Sequence, residues 1–464
     1  MRPGTPGVVL LRRGELAELL RLALPVAAVQ VGMMLMGVVD TVMVGHVSPA
    51  DLAAVALGNI YFFACAVFGM GLLLSLDPVV SQAVGAGDEE GVARGVQRGL
   101  ILALGLTVLA AGLLLLAEPV LHLLRQPPEV IPRAAGYALA TIPGVLPFYL
   151  FVVLRQTLQA RGEVTPILVA IAVANVANVL FNWMLVYGNL GAPPLGAVGS
   201  GWASSLSRWV MALALLGLSW GRLRSQLLPL RPQALRWAPL ARMMRLGVPI
   251  GAQMGLEYGA FGMAGVLMGV LGTLSVAGHQ IALNLAALTF MVPLGVSQAT
   301  TVLVGRGVGA RDPERARRAA AGGMLVGAGF MTVTMAVFLA VPGGLARLYS
   351  SDPAVVALAA SLLPIAGLFQ VFDGLQVVAQ GVLRGVGDTR VPMWTNLLGF
   401  WGAGLPVGAL LSFRAGMGPR GLWWGLALGL ALVAVLLVIR IRIRLAGALD
   451  RLETGDEELP VPAV

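Results

Sequence analysis

The strongest constraint on this chain is a succession of twelve apolar runs, near residues 15–44, 53–82, 95–118, 131–160, 164–187, 198–219, 239–269, 275–305, 315–341, 354–384, 390–413 and 419–440. A run of about 20 residues or more, wound at about 1.5 Å per residue, crosses the hydrocarbon core of a bilayer. With 58% hydrophobic and 11% charged residues, the chain also lacks the polar surface to coat a soluble globule. The fold class that follows is all-α: a polytopic membrane protein of twelve transmembrane helices whose standing partner is the lipid bilayer.

A formal charge of +9 points at first to nucleic acid, yet nucleic-acid binders gather their basic residues on one solvated face. Here the arginines follow the connections, so no nucleic-acid partner is expected. The N-terminus and the even-numbered connections hold Arg12, Arg13, Arg94, Arg98, Arg161, Arg222, Arg224, Arg231, Arg306, Arg315, Arg318 and Arg384 among others; the odd-numbered ones hold Arg125, Arg133, Arg347, Arg414 and Arg420. The positive-inside rule then places both termini in the cytoplasm. The first apolar run is too long for a signal-peptide h-region and lacks a cleavage pattern, so it is read as the first span. Cys65, the one cysteine, excludes an intramolecular disulfide and reads as a small apolar filler of the second span.

The chain repeats itself. Arg21-Leu22 and Pro25 recur as Arg245-Leu246 and Pro249, and Val84-Gly85-Ala86, Asp88, Glu90 and Arg94 recur at the same spacing as Val308-Gly309-Ala310, Asp312, Glu314 and Arg318. Weaker echoes pair Gly162-Glu163 with Gly387-Asp388, and Gly196, Gly199 and Trp202 with Gly418, Gly421 and Trp424. Six spans per repeat return the chain to its starting side, which makes these parallel repeats. The expected organisation is a cytoplasmic N-terminus over 1–14, an N-lobe over 15–219, a cytoplasmic linker over 220–238, a C-lobe over 239–442 and a cytoplasmic, disordered tail over 443–464, with the two lobes around a central cavity. Prolines inside the spans, Pro25, Pro143, Pro147, Pro249, Pro293, Pro364 and Pro406, are expected to bend or loosen their helices.

Three acids stand inside spans: Asp40, Glu257 and Asp373. Each costs about 2.5–3.5 kcal/mol on insertion scales, so they are functional candidates before anything else. Counted from Arg245 and Arg384, Glu257 and Asp373 lie about 17 Å from the cytoplasmic boundary, whereas Asp40 lies about 28 Å from Arg21. The acids also break the repeat, since its spacing sets Ala264 opposite Asp40 and Met33 opposite Glu257. A buried acid of this kind exchanges protons or is held ionised by a bound cation. Asn178 and Asn182 share one helical face and can orient Asp40 or ligate a cation; Gln280 and Asn284 form a similar pair in the eighth span. Asn175 reads as helix–helix glue.

Other chemistry is thin. His46 and His279 stand in no metal-ligand spacing, and no GxxxxGK[ST] motif supports ATP hydrolysis, so the chain is read as no enzyme. Gly385-Val386-Gly387-Asp388 reads as GxGD, a pattern of intramembrane aspartyl proteases, but Asp373 and Asp388 lie about 22 Å apart along one helix rather than facing each other. A lipid-linked or polysaccharide flippase would need a more basic cavity than Arg155 and Arg208 provide.

The segments MGVVDTVMVGH around Asp40, the Glu257 run, AGHQIALN from Ala277 and FDGLQVVAQGVLRGVGDTR from Phe372 resemble the MATE (multidrug and toxic compound extrusion) family, in its NorM-like branch. The resemblance covers all twelve spans. It implies a two-lobe secondary antiporter of the bacterial inner (plasma) membrane, acting as a monomer without a cofactor and exporting amphipathic, cationic small molecules in exchange for Na+ or H+. By similarity, Glu257 and Asp373 form the C-lobe cation site, able to take Na+, while Asp40 with Asn178 and Asn182 forms the N-lobe polar site. Gln280 and Asn284 line the cavity, and Phe290 lies near the cation site with a ring face to offer. Where relatives can carry a tyrosine, Phe369 keeps the aromatic face without the hydroxyl.

Overall fold

The structure, a computed structural model, describes residues 13–452; expectations for residues 1–12 and for the tail beyond Leu452 lie outside the described residues. Among the described residues every regular element is helical. Twelve long helical segments follow one another: α1 Arg13–Gly45, α2 Pro49–Gly85, α3 Glu89–Leu114, α4 Ile131–Ala160, α5 Thr165–Leu185, α6 Gly196–Leu227, α7 Trp237–Val270, α8 Thr273–Gly309, α9 Pro313–Ala340, α10 Pro353–Gly385, α11 Arg390–Arg414 and α12 Pro419–Ala446. Ten of them are long and apolar enough by composition to cross a membrane. The other two, α6 and α7, are equally long but diluted by serines and Arg208 in one and by glycines and Glu257 in the other.

The prolines inside the spans fall into two groups. Pro25, Pro249, Pro293 and Pro364 stay inside continuous helices, whereas Pro143 falls in a 3-10 turn, Ile142–Gly144, that interrupts α4. A further break, between Leu73 and Leu76 of α2, comes one turn before Pro78, whose missing N–H cannot bond back to Leu74. Two stretches of α11, Leu397–Gly404 and Leu410–Arg414, are wound as π-helix around Pro406.

The repeat is visible in backbone detail. Asp88 accepts from the Gly91 amide at 2.7 Å and Asp312 accepts from the Arg315 amide at 2.9 Å, each capping the third helix of its half. The residue before each cap is left-handed, Gly87 at φ +69° and Arg311 at φ +54°. At the end of α4 and α10, Gly162 and Gly387 adopt φ +76° and +78°, and the acids that follow pair with arginines of the last helix of each half: Glu163 with Arg222 at 2.9 Å, Asp388 with Arg440 at 2.7 Å. Short helices Ala117–Leu123 and Pro342–Arg347 follow the third span of each half.

Two compact units result. The C-unit holds residues 252–452 together with α1 up to Ala28; the N-unit holds Val29–Gly251, so the first half of α7 belongs to it. Small residues permit this within each unit. In the N-unit a side chain on Gly71 would meet Gly251 Cα at 2.5 Å, and in the C-unit one on Gly295 would meet Ala27 N at 2.6 Å. Within the C-unit, Arg318 reaches Glu15 at 2.7 Å and Arg315 reaches Glu18 at 3.0 Å, fastening the start of α1 to α9. Within the N-unit, the chain leaving α6 folds onto α3. Gln97 there donates to the carbonyls of Gln226, Leu227 and Pro229 at 3.1, 3.3 and 2.9 Å and accepts from the Arg231 amide at 2.9 Å.

Candidate functional site

In the N-unit, the second half of α1 carries Asp40 inward, where it is buried. Because α5 sets Asn178 and Asn182 one turn apart, both amides reach the same carboxylate oxygen: Nδ2 of Asn178 donates to Oδ1 at 3.0 Å and Nδ2 of Asn182 at 2.7 Å. Ser204 of α6 donates to Oδ2 at 2.5 Å. Asn182 also donates to the Asn178 carbonyl at 2.9 Å, which locks its amide in this orientation. One turn along α6, Arg208 lies close enough to act on Asp40 by charge while its guanidinium stacks 3.9 Å from the Phe62 ring centroid. Asn175 donates to Gly32 O and Ile171 O, both at 2.9 Å, tying α5 to α1.

In the C-unit, Glu257 of α7 remains partly exposed and receives two longer bonds: Gln376 Nε2 to Oε1 at 3.2 Å and Asn396 Nδ2 to Oε2 at 3.2 Å. Gln380 of α10 donates in turn to Asn396 Oδ1 at 3.4 Å. Asn396 stands at the point where α11 turns π-helical, and Trp401, within that stretch, donates to Leu256 O at 3.0 Å. Two neighbouring residues of α7 are thus gripped from one irregular helix, a setting common at functional positions. Asp373 of α10 is buried. Asp373 Oδ1 and Gln376 Oε1 are buried without a hydrogen-bond partner.

The remaining predicted positions spread around these clusters. Phe369, one turn before Asp373, is fully buried, its ring edge-on to Trp423 at 5.6 Å and to Phe261 at 6.0 Å. Phe290 is half-buried beside Thr289, which accepts from Gln370 of α10 at 2.5 Å. Gln280 is exposed and Asn284 half-buried, and no side-chain hydrogen bond joins either to the described residues. His279 is buried against Trp423, ring centroids 5.7 Å apart. Ser204, Gln376, Gln380 and Asn396 were not singled out in the sequence; the only signal they carry there is a polar side chain at bilayer depth, which Asn175 shows can equally be packing glue.

No group of three His, Cys, Asp or Glu side chains that would hold a metal occurs among the described residues. Asp388 is engaged with Arg440, so the GxGD stretch serves a helix end. Arg155 donates to Gln30 Oε1 at 3.0 Å and Arg208 lies on Phe62, so these two buried arginines are taken up by the helix packing.

Twelve long helices in two repeats, ten of them apolar enough to cross a membrane, with Asp40, Glu257 and Asp373 inside them, are the architecture of a secondary transporter. The chain belongs to the MatE family, whose model matches residues 25–184 and again 249–410, two stretches that begin at the same spacing as the sequence repeat. It is 40% identical over 428 residues to the multidrug resistance protein PmpM of Pseudomonas aeruginosa, covering 90% of this chain and 89% of that one. It is 39% identical over 426 residues to the multidrug resistance protein NorM of Burkholderia vietnamiensis, covering 89% and 90%. The fold matches the crystal structure of the eukaryotic MATE transporter AtDTX14 with a TM-score of 0.85 at 23% identity, covering 93% of this chain and 97% of that one. A crystal structure of MATE in complex with MaD5 gives 0.83 at 21%, covering 95% and 98%.

Proposed function

We propose that this protein is a multidrug antiporter that exports amphipathic organic cations by alternating access in exchange for inward Na+ or H+. Relatives of near-full coverage carry the name multidrug resistance protein, which supports the substrate class. The observation that carries the mechanism is the loose hold on the two C-unit acids: Glu257 receives only two bonds, both of 3.2 Å, and Asp373 has a buried oxygen without a hydrogen-bond partner among the described residues. Carboxyls inside a span with lone pairs left open are suited to take up a proton or a cation. An organic cation is drawn by the same charge. Coupling ion and drug therefore compete for one electrostatic vacancy, and filling it from outside displaces the drug.

The side chains suited to Na+ are Glu257 and Asp373, with Gln376 Oε1 as a neutral oxygen ligand. Asp40 does a separable job, since three protein donors and Arg208 already balance it. Each chain carries both clusters, so a monomer suffices. The arginine distribution supports an inner-membrane protein with both termini cytoplasmic.

The test is dye efflux by Glu257→Gln and Asp373→Asn proteins that reach the membrane. Both are expected to lose coupled transport, and ethidium efflux at the unsubstituted rate would overturn the reading. Vesicles with Na+ and pH gradients imposed separately identify the ion.

A further inference from the structure

We propose that the end of the C-unit where α10 and α12 meet is a binding site for the headgroup of an anionic phospholipid. A cavity of about 390 Å³ lies there, lined by Gly387, Asp388, Arg440, Ile443, Arg444 and Gly447. Its acid is already spoken for: Arg440 Nε donates to Asp388 Oδ2 at 2.7 Å. Arg444 is different. Its Nη1 reaches only the Ala448 carbonyl, at 3.4 Å, and it forms no ion pair among the described residues. The cavity therefore holds one uncompensated guanidinium beside a neutralised pair, a setting that favours a single phosphate and suits the two-pronged geometry of arginine.

The apolar wall decides between a lipid and a free anion. Leu428, Leu432, Val435, Ile439 and Ile443 of α12 are 52%, 39%, 52%, 49% and 61% exposed. At about 100° per residue they fall within an arc of about 80°, and they run about 22 Å along the helix, more than the depth of one leaflet. Ile443 is both the last residue of this stripe and part of the cavity wall. A headgroup seated at Arg444 would thus have its acyl chains laid along α12, which a soluble phosphate could not use. In the orientation proposed above, this end faces the cytoplasmic leaflet, where basic residues near the surface attract anionic lipid.

The experiment uses the full chain purified into phosphatidylcholine nanodiscs doped with phosphatidylglycerol, with bound lipid counted by native mass spectrometry. One phosphatidylglycerol is expected to be retained in preference to phosphatidylcholine. Arg444→Gln should lower that retention about tenfold or more, the effect of losing a charge-assisted hydrogen bond to phosphate. Arg442→Gln is the control, because Arg442 is exposed within one turn of Arg444 but outside the cavity, and its loss should cost no more than the roughly fivefold effect of one basic residue near a lipid surface. Equal losses in the two variants would reduce the effect to general surface charge and overturn the proposal, as would no preference for phosphatidylglycerol. Glycerol 3-phosphate should not displace the lipid; if it does so at millimolar levels, the site takes a soluble anion and the lipid assignment falls.

Discussion

The two acid clusters differ in how tightly they are held, and the difference is large enough to measure. Asp40 accepts at 2.5, 2.7 and 3.0 Å, Glu257 at 3.2 and 3.2 Å. An N–H···O bond weakens toward the long end of its range of about 2.7–3.2 Å, and a bond to a charged group contributes about 1.5–3 kcal/mol. The Asp40–Asn182 pair is therefore expected near the top of that range, about 2–3 kcal/mol, and Glu257–Asn396 at or below its foot, about 1–1.5 kcal/mol. Ordinary interhelical bonds in membranes average only about 0.6 kcal/mol, so the first value must also stand clear of that background. Single truncations mislead here, because each leaves an acid without a donor and adds its own penalty. Double-mutant cycles remove that term: Asp40→Leu with Asn182→Leu, and Glu257→Leu with Asn396→Leu, read by reversible unfolding of the purified protein in graded SDS. The reasoning fails if the Glu257 cycle gives the larger coupling, or if the Asp40 cycle is additive within about 0.5 kcal/mol.

Gly425→Ala should destabilise the protein by about 1–3 kcal/mol in the same assay, because a side chain there would run into the Gly408 backbone of α11, while Gly255→Ala, with open space around it, should be neutral or slightly stabilising. The chain between α6 and α7 should show a pH-dependent hold. Hydrogen bonds from Arg231 keep the Glu90 carboxyl below the usual carboxylate range, so their contribution is complete above that range and is lost as pH falls through the lowered value. Limited proteolysis within residues 228–236 should accordingly speed up at pH 4 relative to pH 7, and Arg231→Ala should abolish the difference. Gln97→Leu should raise cleavage at both pH values, since it removes three carbonyl contacts that do not titrate.

Much of the site was legible because its cost is local. An acid inside an apolar run is expensive wherever the neighbouring helices fall, so Asp40, Glu257 and Asp373 stand out without a structure. Asn178 and Asn182 were readable as a pair because helical geometry alone stacks them. Their grouping with Asp40 was implied by the family resemblance; that both amides reach one carboxylate oxygen needed the fold, and so did Ser204, which joins from 164 residues away. Gln376 and Asn396 reach Glu257 across 119 and 139 residues, and nothing in their own surroundings separates them from packing amides. Gln280 and Asn284 show the converse: the same one-turn spacing as Asn178 and Asn182, with no hydrogen-bond partner brought to their side chains among the described residues.

What the sequence by itself determined is the number of spans, the duplication and the places where charge enters the apolar interior. These follow from length, hydropathy and a repeated string of residues, all of which act through the chain's own backbone and its solvent. Only the tertiary structure decided which helices supply the donors, how tightly each acid is held, and that the compact units divide after Ala28 and Gly251. It also decided that α11 winds as π-helix next to Asn396. Those outcomes rest on close approaches between distant segments, such as Gly71 against Gly251 and Gly295 against Ala27, and a small residue announces that an approach is permitted without naming its partner.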